Sequence, residues 1–204
     1  MIKTIYQCVK EVLGDGKKPI LLGGEHTISI GGVKAASELF YDLNVIVLDA
    51  HLDMRDYFDG TAYSHACTSR RMFENASQLW IIGARTASQD ELNVKNLIDV
   101  TWIEEFRSEN GHVMKQIRDF TRSGMTYLSI DLDVLDPSLV PCVGNPEPNG
   151  LTWKELTMVL KNINWLSIVG LDLTELVPNN CLRSCEYVAA TLLKKIIAYM
   201  LRFG

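Results

Sequence analysis

Apolar residues along this chain alternate between two spacings. Over residues 2–13 they recur every three or four positions, which is typical of an amphipathic helix, whereas residues 19–22 include a short apolar run typical of a buried strand. The same alternation continues along the chain. It predicts helices over residues 2–13, 29–40, 65–75, 88–96, 109–122, 152–162 and 184–202, and strands over residues 19–22, 44–49, 78–82, 98–103, 126–131 and 166–172.

The order of these elements predicts the fold class. Parallel strands need long crossover connections, usually helices, so this alternation favours an α/β fold: a three-layer, open, mostly parallel sheet with helices on both faces. The chain has 204 residues, 47% of them hydrophobic, and no linker-like stretch, so residues 1–204 are expected to form a single domain. Proteins of this class bind ligands at the carboxyl ends of the strands.

Acidic and imidazole side chains cluster directly after two predicted strands. Asp49, His51 and Asp53 follow one strand, and Asp131 and Asp133 end the other. Side chains two residues apart point to the same face, so each set converges if the extended conformation continues past the strand end. Neighbouring carboxylates repel one another and are costly to desolvate unless cations neutralise them. The pattern therefore predicts a divalent metal site, with room for two ions.

A third segment places one more imidazole at a strand end. His26 follows the glycine pair at residues 23–24, directly after the strand over residues 19–22. Alone, His26 is more typical of a hydrogen-bonded loop histidine, but beside the other two clusters it is a candidate metal ligand. Asp136 precedes a proline, a pair that commonly starts a turn, so we place it outside the metal shell.

Composition excludes several classes of partner. The net charge of −5 and the pI near 5.4 argue against nucleic acid. No apolar run approaches the roughly 18 residues of a membrane span, and charged residues interrupt the N-terminus where a signal peptide needs an apolar core. The five scattered cysteines are expected to be reduced thiols of a cytoplasmic protein. A zinc or redox role for Cys181 and Cys185 is a weaker alternative.

Four segments occur in the order GGEHT, DAHLD, SIDLDVLDPSLVPCVGNPEPNGLT and DLTELVP, and together they resemble the ureohydrolase family, which includes arginase and agmatinase. The resemblance implies two Mn(II) ions per subunit. Asp49 and Asp131 would bridge the two ions. It assigns one ion to His26, Asp49, Asp53 and Asp131, and the other to His51, Asp49, Asp131 and Asp133.

The resemblance also implies a reaction. A hydroxide held between the two metals attacks the guanidinium carbon, and the intermediate collapses to urea and an amine. Glu175 matches the glutamate that grips the guanidinium, and His65 matches the histidine that transfers a proton to the leaving amine. With the ligand Asp53, these two residues form the implied catalytic set.

The resemblance implies that the substrate is a small guanidino compound, with agmatine, which would yield putrescine and urea, as the leading candidate. The segments around Arg55 and His65 look more like agmatinases than arginases. Arg55 keeps guanidinobutyrate open, because a cation near the substrate tail suits a carboxylate, although it could also point outward and pair with Asp56 or Asp59. Arginine is a further alternative, and the family suggests a homo-oligomer, either a trimer or a hexamer.

The match departs from the family in length and at two loop positions. Roughly the first quarter of the usual family chain has no counterpart, so the protein could be a shortened, non-catalytic relative that binds metal or a partner subunit. Asn145 and Asn149 replace the usual threonine and glycine, and Asn149 is expected to keep a backbone with positive φ. A one-zinc deacetylase and a binuclear phosphoesterase are less favoured, because the extra ligands argue against the first and the absence of a Lys/Arg cluster argues against the second.

Overall fold

One parallel sheet organises the chain. The computed structural model describes residues 1–178 and 183–203. Within them, every strand pair is parallel, and the strand order is β1-β6-β5-β2-β3-β4. The strands are β1 (Ile20–Leu22), β2 (Asn44–Leu48), β3 (Gln78–Ala84), β4 (Asp99–Trp102), β5 (Thr126–Asp131) and β6 (Ile168–Thr174).

Helices cover both faces of this sheet, as the sequence predicts. They are α1 (Ile2–Gly14), α2 (Ile28–Leu39), α3 (Thr68–Phe73), α4 (Gln89–Val94), α5 (Ile103–Ser108), α6 (Asn110–Ser123), α7 (Trp153–Asn162) and α8 (Ser184–Phe203). Two helices begin with reciprocal side-chain caps. In α4 the pair is Ser88 and Glu91, and in α7 it is Thr152 and Glu155.

The two faces of the sheet build two separate cores. In β2, Val45 and Val47 pack with side chains from α1, α2 and α3, whereas Ile46 and Leu48 pack with side chains from α5 to α8. This alternation follows from the period of two residues in a strand. Because both faces are covered, the central strands are apolar on both sides, which explains their continuous apolar runs.

The sequence-based boundaries differ from the structure in three places. The helix predicted over 65–75 is a 3-10 turn at His65–Cys67 followed by the shorter α3. The strand predicted over 98–103 ends at Trp102, and Ile103 begins the unpredicted helix α5, whose first turn carries two glutamates that favour a helix N-terminus. The strand predicted over 166–172 lies two residues further on, at Ile168–Thr174.

The expectation of five reduced cysteines is wrong for one pair. Cys142 and Cys185 form a disulfide, with their Cα atoms 6.0 Å apart. Their sequence separation of 43 residues hides this proximity, which arises because the loop at Cys142 lies against the first turn of α8. Cys8 and Cys67 are free thiols, and Cys181 lies outside the described residues. Among the described helices, none is both long and apolar enough to cross a membrane.

Candidate metal centre

Six ionisable side chains meet at the carboxyl edge of the sheet. They come from the last residue of β5 and from the segments that follow β1, β2 and β5, and all but one of them are buried; His51 is the partly exposed member. These are the six candidate ligands taken from the sequence: His26, Asp49, His51, Asp53, Asp131 and Asp133. The structure thus brings together residues that are up to about a hundred positions apart in the chain.

The route by which the ligands converge differs from the prediction. Strand β2 ends at Leu48 and β5 at Asp131, so strand alternation does not continue through either motif. Tight turns replace it: Asp49 Oδ1 accepts a hydrogen bond from His51 N (2.7 Å), and Asp131 Oδ1 accepts one from Asp133 N (2.8 Å). Asp53 has a φ of 51°, which bends the chain back towards the site. The expectation of an extended chain was wrong, although the predicted proximity is present.

The first subsite is centred on His26. Its Nδ1 atom lies 3.1 Å from Asp53 Oδ2 and 3.3 Å from both Asp49 Oδ2 and Asp131 Oδ2. Two ligand atoms that each lie about 2.1 Å from an ion, with a right angle between the two bonds at the ion, are about 3 Å apart. The ligand atoms of His26, Asp49 and Asp131 all lie within 4.8 Å of one another, a spacing that fits a common cation, while Asp53 as the fourth ligand stays a prediction.

The second subsite is centred on His51. Its Nδ1 atom lies 2.9 Å from Asp133 Oδ2 and 3.5 Å from Asp49 Oδ1. Asp49 therefore presents one carboxylate oxygen to each imidazole, which is the geometry of a bridging ligand. Asp131 belongs geometrically to the first subsite, so its predicted second bridge stays a prediction.

Burial and repulsion act against the charges of this cluster. Burial, together with the charge of Asp49, raises the pKa of Asp53 to about 7. The pKa values of Asp131 and Asp133 are raised in the same way, by burial and then by a neighbouring aspartate. Burial would raise the pKa of Asp49, but the neighbouring imidazoles of His26 and His51 outweigh it and lower that pKa.

The pKa of His51 also reflects the excess of negative charge in this cluster. Burial alone would lower the pKa of His51, but Asp133 and Asp49 raise it to about 11. In addition, among the described residues the buried atom Asp49 Oδ2 has no hydrogen-bond partner. A proton on an imidazole, or a cation bound between the ligands, would neutralise part of this buried negative charge. Oxygen ligands with a few imidazoles suit Mn(II) and related divalent ions, so the donor set fits the implied metals.

Glu175 reaches the centre from the loop after β6. Its backbone N–H donates to Gly24 O (2.7 Å), and its Oε1 accepts from His26 N (2.6 Å). Its φ of 63° is unusual for a residue with a side chain. Burial raises the pKa of its carboxyl group. Glu175 is therefore fixed beside the first subsite by both its backbone and its side chain.

His65 lies further from the ligands, at the rim of the site. Its side chain is 43% exposed, its Nδ1 is 3.7 Å from Glu25 Oε1, and its ring contacts Phe58 edge to face. Asp136, in contrast, holds a turn: its carboxylate accepts from the N–H groups of Ser138 and Gly150. Asp136 thus lies outside the ligand set, as the sequence indicated.

A cavity of about 190 Å³ lies over the cluster. Besides five of the six candidate ligands, its lining includes both predicted catalytic residues as well as loop side chains from several elements. The lining residues are His26, His51, Asp53, Arg55, Phe58, His65, Ala66, Thr86, Ala87, Ser88, Glu91, Asp131, Asp133, Asn145 and Glu175.

Two arginines near this cavity have different roles. Arg55 lines the cavity, with its Cζ 4.9 Å from the centre of the Phe58 ring; within the described part of the chain, Asp56 pairs with Arg71 instead. Arg85 donates to a series of backbone carbonyls, including Asp133 O and Glu147 O (2.9 Å). Arg85 thus ties a ligand segment to the loop over residues 144–149.

Sequence reasoning missed the residues that support the ligands. Ser129 and Asp172 form a buried hydrogen-bonded pair beneath His26, and Glu91 accepts from Met54 N next to Asp53. A signal for Ser129 existed, because it lies two residues before Asp131 on the same strand and shares its face. The expectation for Asn149 is confirmed, since its φ is 67°.

The fold and the site define a class: an open parallel α/β sheet with a candidate two-metal centre under a cavity at its carboxyl edge. The chain belongs to the arginase family, whose sequence profile matches residues 1–199. It is 34% identical to the N(1)-aminopropylagmatine ureohydrolase of Synechocystis sp., over 98% of this chain and 66% of that protein. It is 32% identical to an agmatinase of Pyrococcus horikoshii, over 98% of this chain and 70% of that protein.

A solved structure agrees with this assignment. The agmatine ureohydrolase of Thermoplasma volcanium superposes with a TM-score of 0.87 and 33% identity, covering 98% of this chain and 68% of that one. The arginase-like three-layer fold expected from the sequence is therefore confirmed. The chain spans about two thirds of the length of these relatives.

Proposed function

We propose that this protein is a binuclear manganese hydrolase that releases urea from a guanidino compound, with agmatine as the leading substrate. The observation that carries the proposal is the position of Asp49 between the two imidazoles, below a cavity that Glu175 also lines. Two candidate cation subsites share one carboxylate, and a guanidinium-binding group lies beside them. The resemblance to agmatinases supports the choice of chemistry.

The six-residue cluster would hold the metal ions. His26 and Asp53 belong to one subsite, His51 and Asp133 belong to the other, and Asp49 is shared. Two divalent cations, when bound, lower the pKa of a water molecule and so supply the nucleophile. The protein supplies the geometry, because each carboxylate is buried and positioned by a turn or a backbone contact.

Glu175 would orient the substrate. Its Oε1 accepts from His26 N, so one edge of the carboxylate is fixed to the first subsite while the other oxygen remains for the substrate. A carboxylate pairs with the planar N–H groups of a guanidinium through charge-assisted hydrogen bonds. This pairing would aim the guanidinium carbon at the metal centre and hold it there, which lowers the entropic part of the barrier.

His65 would deliver a proton to the leaving nitrogen. Its ring lines the cavity but is 43% exposed, so it can exchange protons with water. Glu25 Oε1 lies 3.7 Å from His65 Nδ1 at the rim of the cavity. An imidazole at the border between cavity and solvent suits a proton shuttle near neutral pH.

The two candidate substrates differ in their tails, which end in an amine in agmatine and in a carboxylate in guanidinobutyrate. The resemblance to agmatinases favours agmatine, whose tail is an amine, and among the described residues Arg55 is the one Lys or Arg in the cavity lining. Arg55 is the specific observation for a second candidate, an ω-guanidino acid such as guanidinobutyrate. Its guanidinium lies over Phe58 at the cavity, where a carboxylate tail could reach it.

The test is a urea-release assay of the Mn(II)-loaded protein with agmatine, guanidinobutyrate and arginine, with bound metal measured by mass spectrometry. We expect equimolar urea and putrescine from agmatine and little turnover of arginine. An Arg55→Met variant separates the two candidate substrates. If Arg55 binds a carboxylate tail, the variant should lose turnover of guanidinobutyrate, whereas turnover of agmatine should stay intact. Two bound metals with no urea from any of the three compounds would favour the non-catalytic alternative. A homo-oligomeric, cytoplasmic enzyme of polyamine synthesis stays a prediction.

A further inference from the structure

A buried carboxylate lies below the first metal subsite and takes no part in the mechanism above. Asp172 in β6 and Ser129 in β5 are partners in the register of the two strands, and both are fully buried. A buried carboxylate is costly unless it is well hydrogen-bonded. Its position in the centre of the sheet therefore requires a structural or functional reason.

The hydrogen bonds of this pair lead directly to His26. Ser129 Oγ donates to Asp172 Oδ1 at 2.7 Å. A hydroxyl has one proton, so a Ser129 that donates to Asp172 offers only lone pairs to its other neighbours. His26 Nε2 lies 3.0 Å from the same oxygen and must then be the donor. In a neutral ring, the proton on Nε2 leaves Nδ1 as the bare nitrogen.

We propose that Asp172 is a positioning residue that acts through Ser129 to fix the tautomer and orientation of His26, so that Nδ1 is available to a divalent cation. The proposal rests on the metal centre described under the proposed function. Metal-bound histidines commonly donate their second N–H to a carboxylate or carbonyl, and here the hydroxyl of Ser129 stands between the two groups.

The alternative tautomer shows why this matters. If the proton were on Nδ1, it would occupy the position between Asp49, Asp53 and Asp131 where the cation must bind, and Nε2 would need a proton from Ser129. Ser129 could then no longer donate to Asp172, and the buried carboxylate would lose its 2.7 Å hydrogen bond. The charge-assisted bond from Ser129 to Asp172 therefore selects the tautomer that binds metal.

The effect should be confined to one of the two subsites. His51 takes its contacts from Asp133 and Asp49, and neither Ser129 nor Asp172 touches it. Loss of a residue behind a metal ligand typically costs about 10- to 100-fold in metal affinity. We expect an Asp172→Asn substitution to weaken the first Mn(II) site by about 10-fold and to leave the second close to wild type.

The experiment is a stepwise Mn(II) titration of the 204-residue chain, in which free Mn(II) is followed by electron paramagnetic resonance. Asp172→Asn keeps the size of the side chain, and Ser129→Ala breaks the chain of bonds at its middle. If both act through one path, the double variant should be no weaker than the worse single variant. Thr126→Val is the matched control, since it removes a buried hydroxyl at the opposite end of β5, which donates to Gly124 O.

A second readout follows the tautomer itself. Two-bond ¹⁵N–¹H spectra of the Zn(II)-loaded protein should show the proton of His26 on Nε2 in the wild type, and loss or exchange broadening of that signal in Asp172→Asn. Equal weakening of both sites, or unchanged affinities and an unchanged His26 signal, would overturn the role of Asp172 while the metal centre stands. A wild-type protein that binds no Mn(II) would overturn the metal centre and this role together.

Discussion

Glu175 offers the sharpest test of how the protein would hold its substrate. In a Glu175→Gln variant the side chain keeps one oxygen, which can still accept from His26 N, the 2.6 Å contact that fixes it in the wild type. The amide NH₂ must then point towards the cavity. There it meets the N–H donors of a guanidinium, so an attractive pairing becomes one between two donors. The local structure should persist while substrate binding is lost.

The size of the effect follows from the type of bond. A hydrogen bond between charged groups contributes about 1.5–3 kcal/mol. Each 1.36 kcal/mol or so is a tenfold change in rate, so kcat/KM should fall by about 10- to 150-fold. Glu175 lies outside the six-residue ligand cluster, so the number of bound metal ions should not change.

The assay is initial-rate urea release from agmatine, with metal equivalents measured on the same samples. Glu104→Gln is a suitable control, because it makes the same chemical change at an exposed position on α5. If Glu175→Gln keeps the wild-type kcat/KM, the role of Glu175 in binding the guanidinium is wrong. If it loses metal instead, Glu175 supports the first subsite through His26 rather than the substrate.

Three further predictions concern the centre and the core. A His51→Ala variant should bind one metal ion where the wild type binds two, because the second subsite has no other imidazole; two full equivalents by mass spectrometry would refute the assignment. Mn(II) affinity should fall as the pH drops, because protons compete with the metal for Asp53, whose pKa burial raises to about 7, and for His51, whose pKa the neighbouring aspartates raise to about 11 against the effect of burial; calorimetry at neutral pH in buffers of different ionisation enthalpy should detect proton release on binding, and no release would contradict it. A Gly32→Ala variant should lose about 1–3 kcal/mol of unfolding free energy, because its Cβ would lie 2.2 Å from the hydroxyl of the buried Tyr127; urea unfolding measures this, with an unchanged midpoint as the contrary result.

The elements that the sequence predicts well are those with a strong period. Strand β5 and helix α6 lie within a residue or two of their expected limits, because a continuous apolar run and a clear amphipathic pattern mark them. Helix α5 has only six residues and no room for such a period. The disulfide between Cys142 and Cys185 was not predicted either, since it depends on tertiary contact rather than on spacing.

The candidate site was predictable in its members but not in its geometry. Asp49, His51 and Asp53 were recognised from their residue types and spacing. Their convergence, however, depends on an aspartate turn and on a positive φ, which a sequence pattern does not encode. Asp172 begins the segment DLTELVP, but it received no role because a buried acid within a strand shows its partners only in the folded chain. Its role emerges only from the register that places it against Ser129.

Strand order explains why residues so distant in sequence can share one site. The sheet places β6 between β1 and β5, with β2 on the other side of β5. The loop after β1 carries His26, the loops after β5 and β2 carry the aspartates and His51, and β6 ends at Thr174, just before Glu175. Since all four strands are parallel, their carboxyl ends lie at one edge. Asp172 in β6 and Glu175 directly after it therefore both lie near His26, Asp172 within the sheet and Glu175 at its carboxyl edge. A substitution in β6 can thus alter metal binding and substrate binding separately, which is why the variants at these two positions distinguish the two roles.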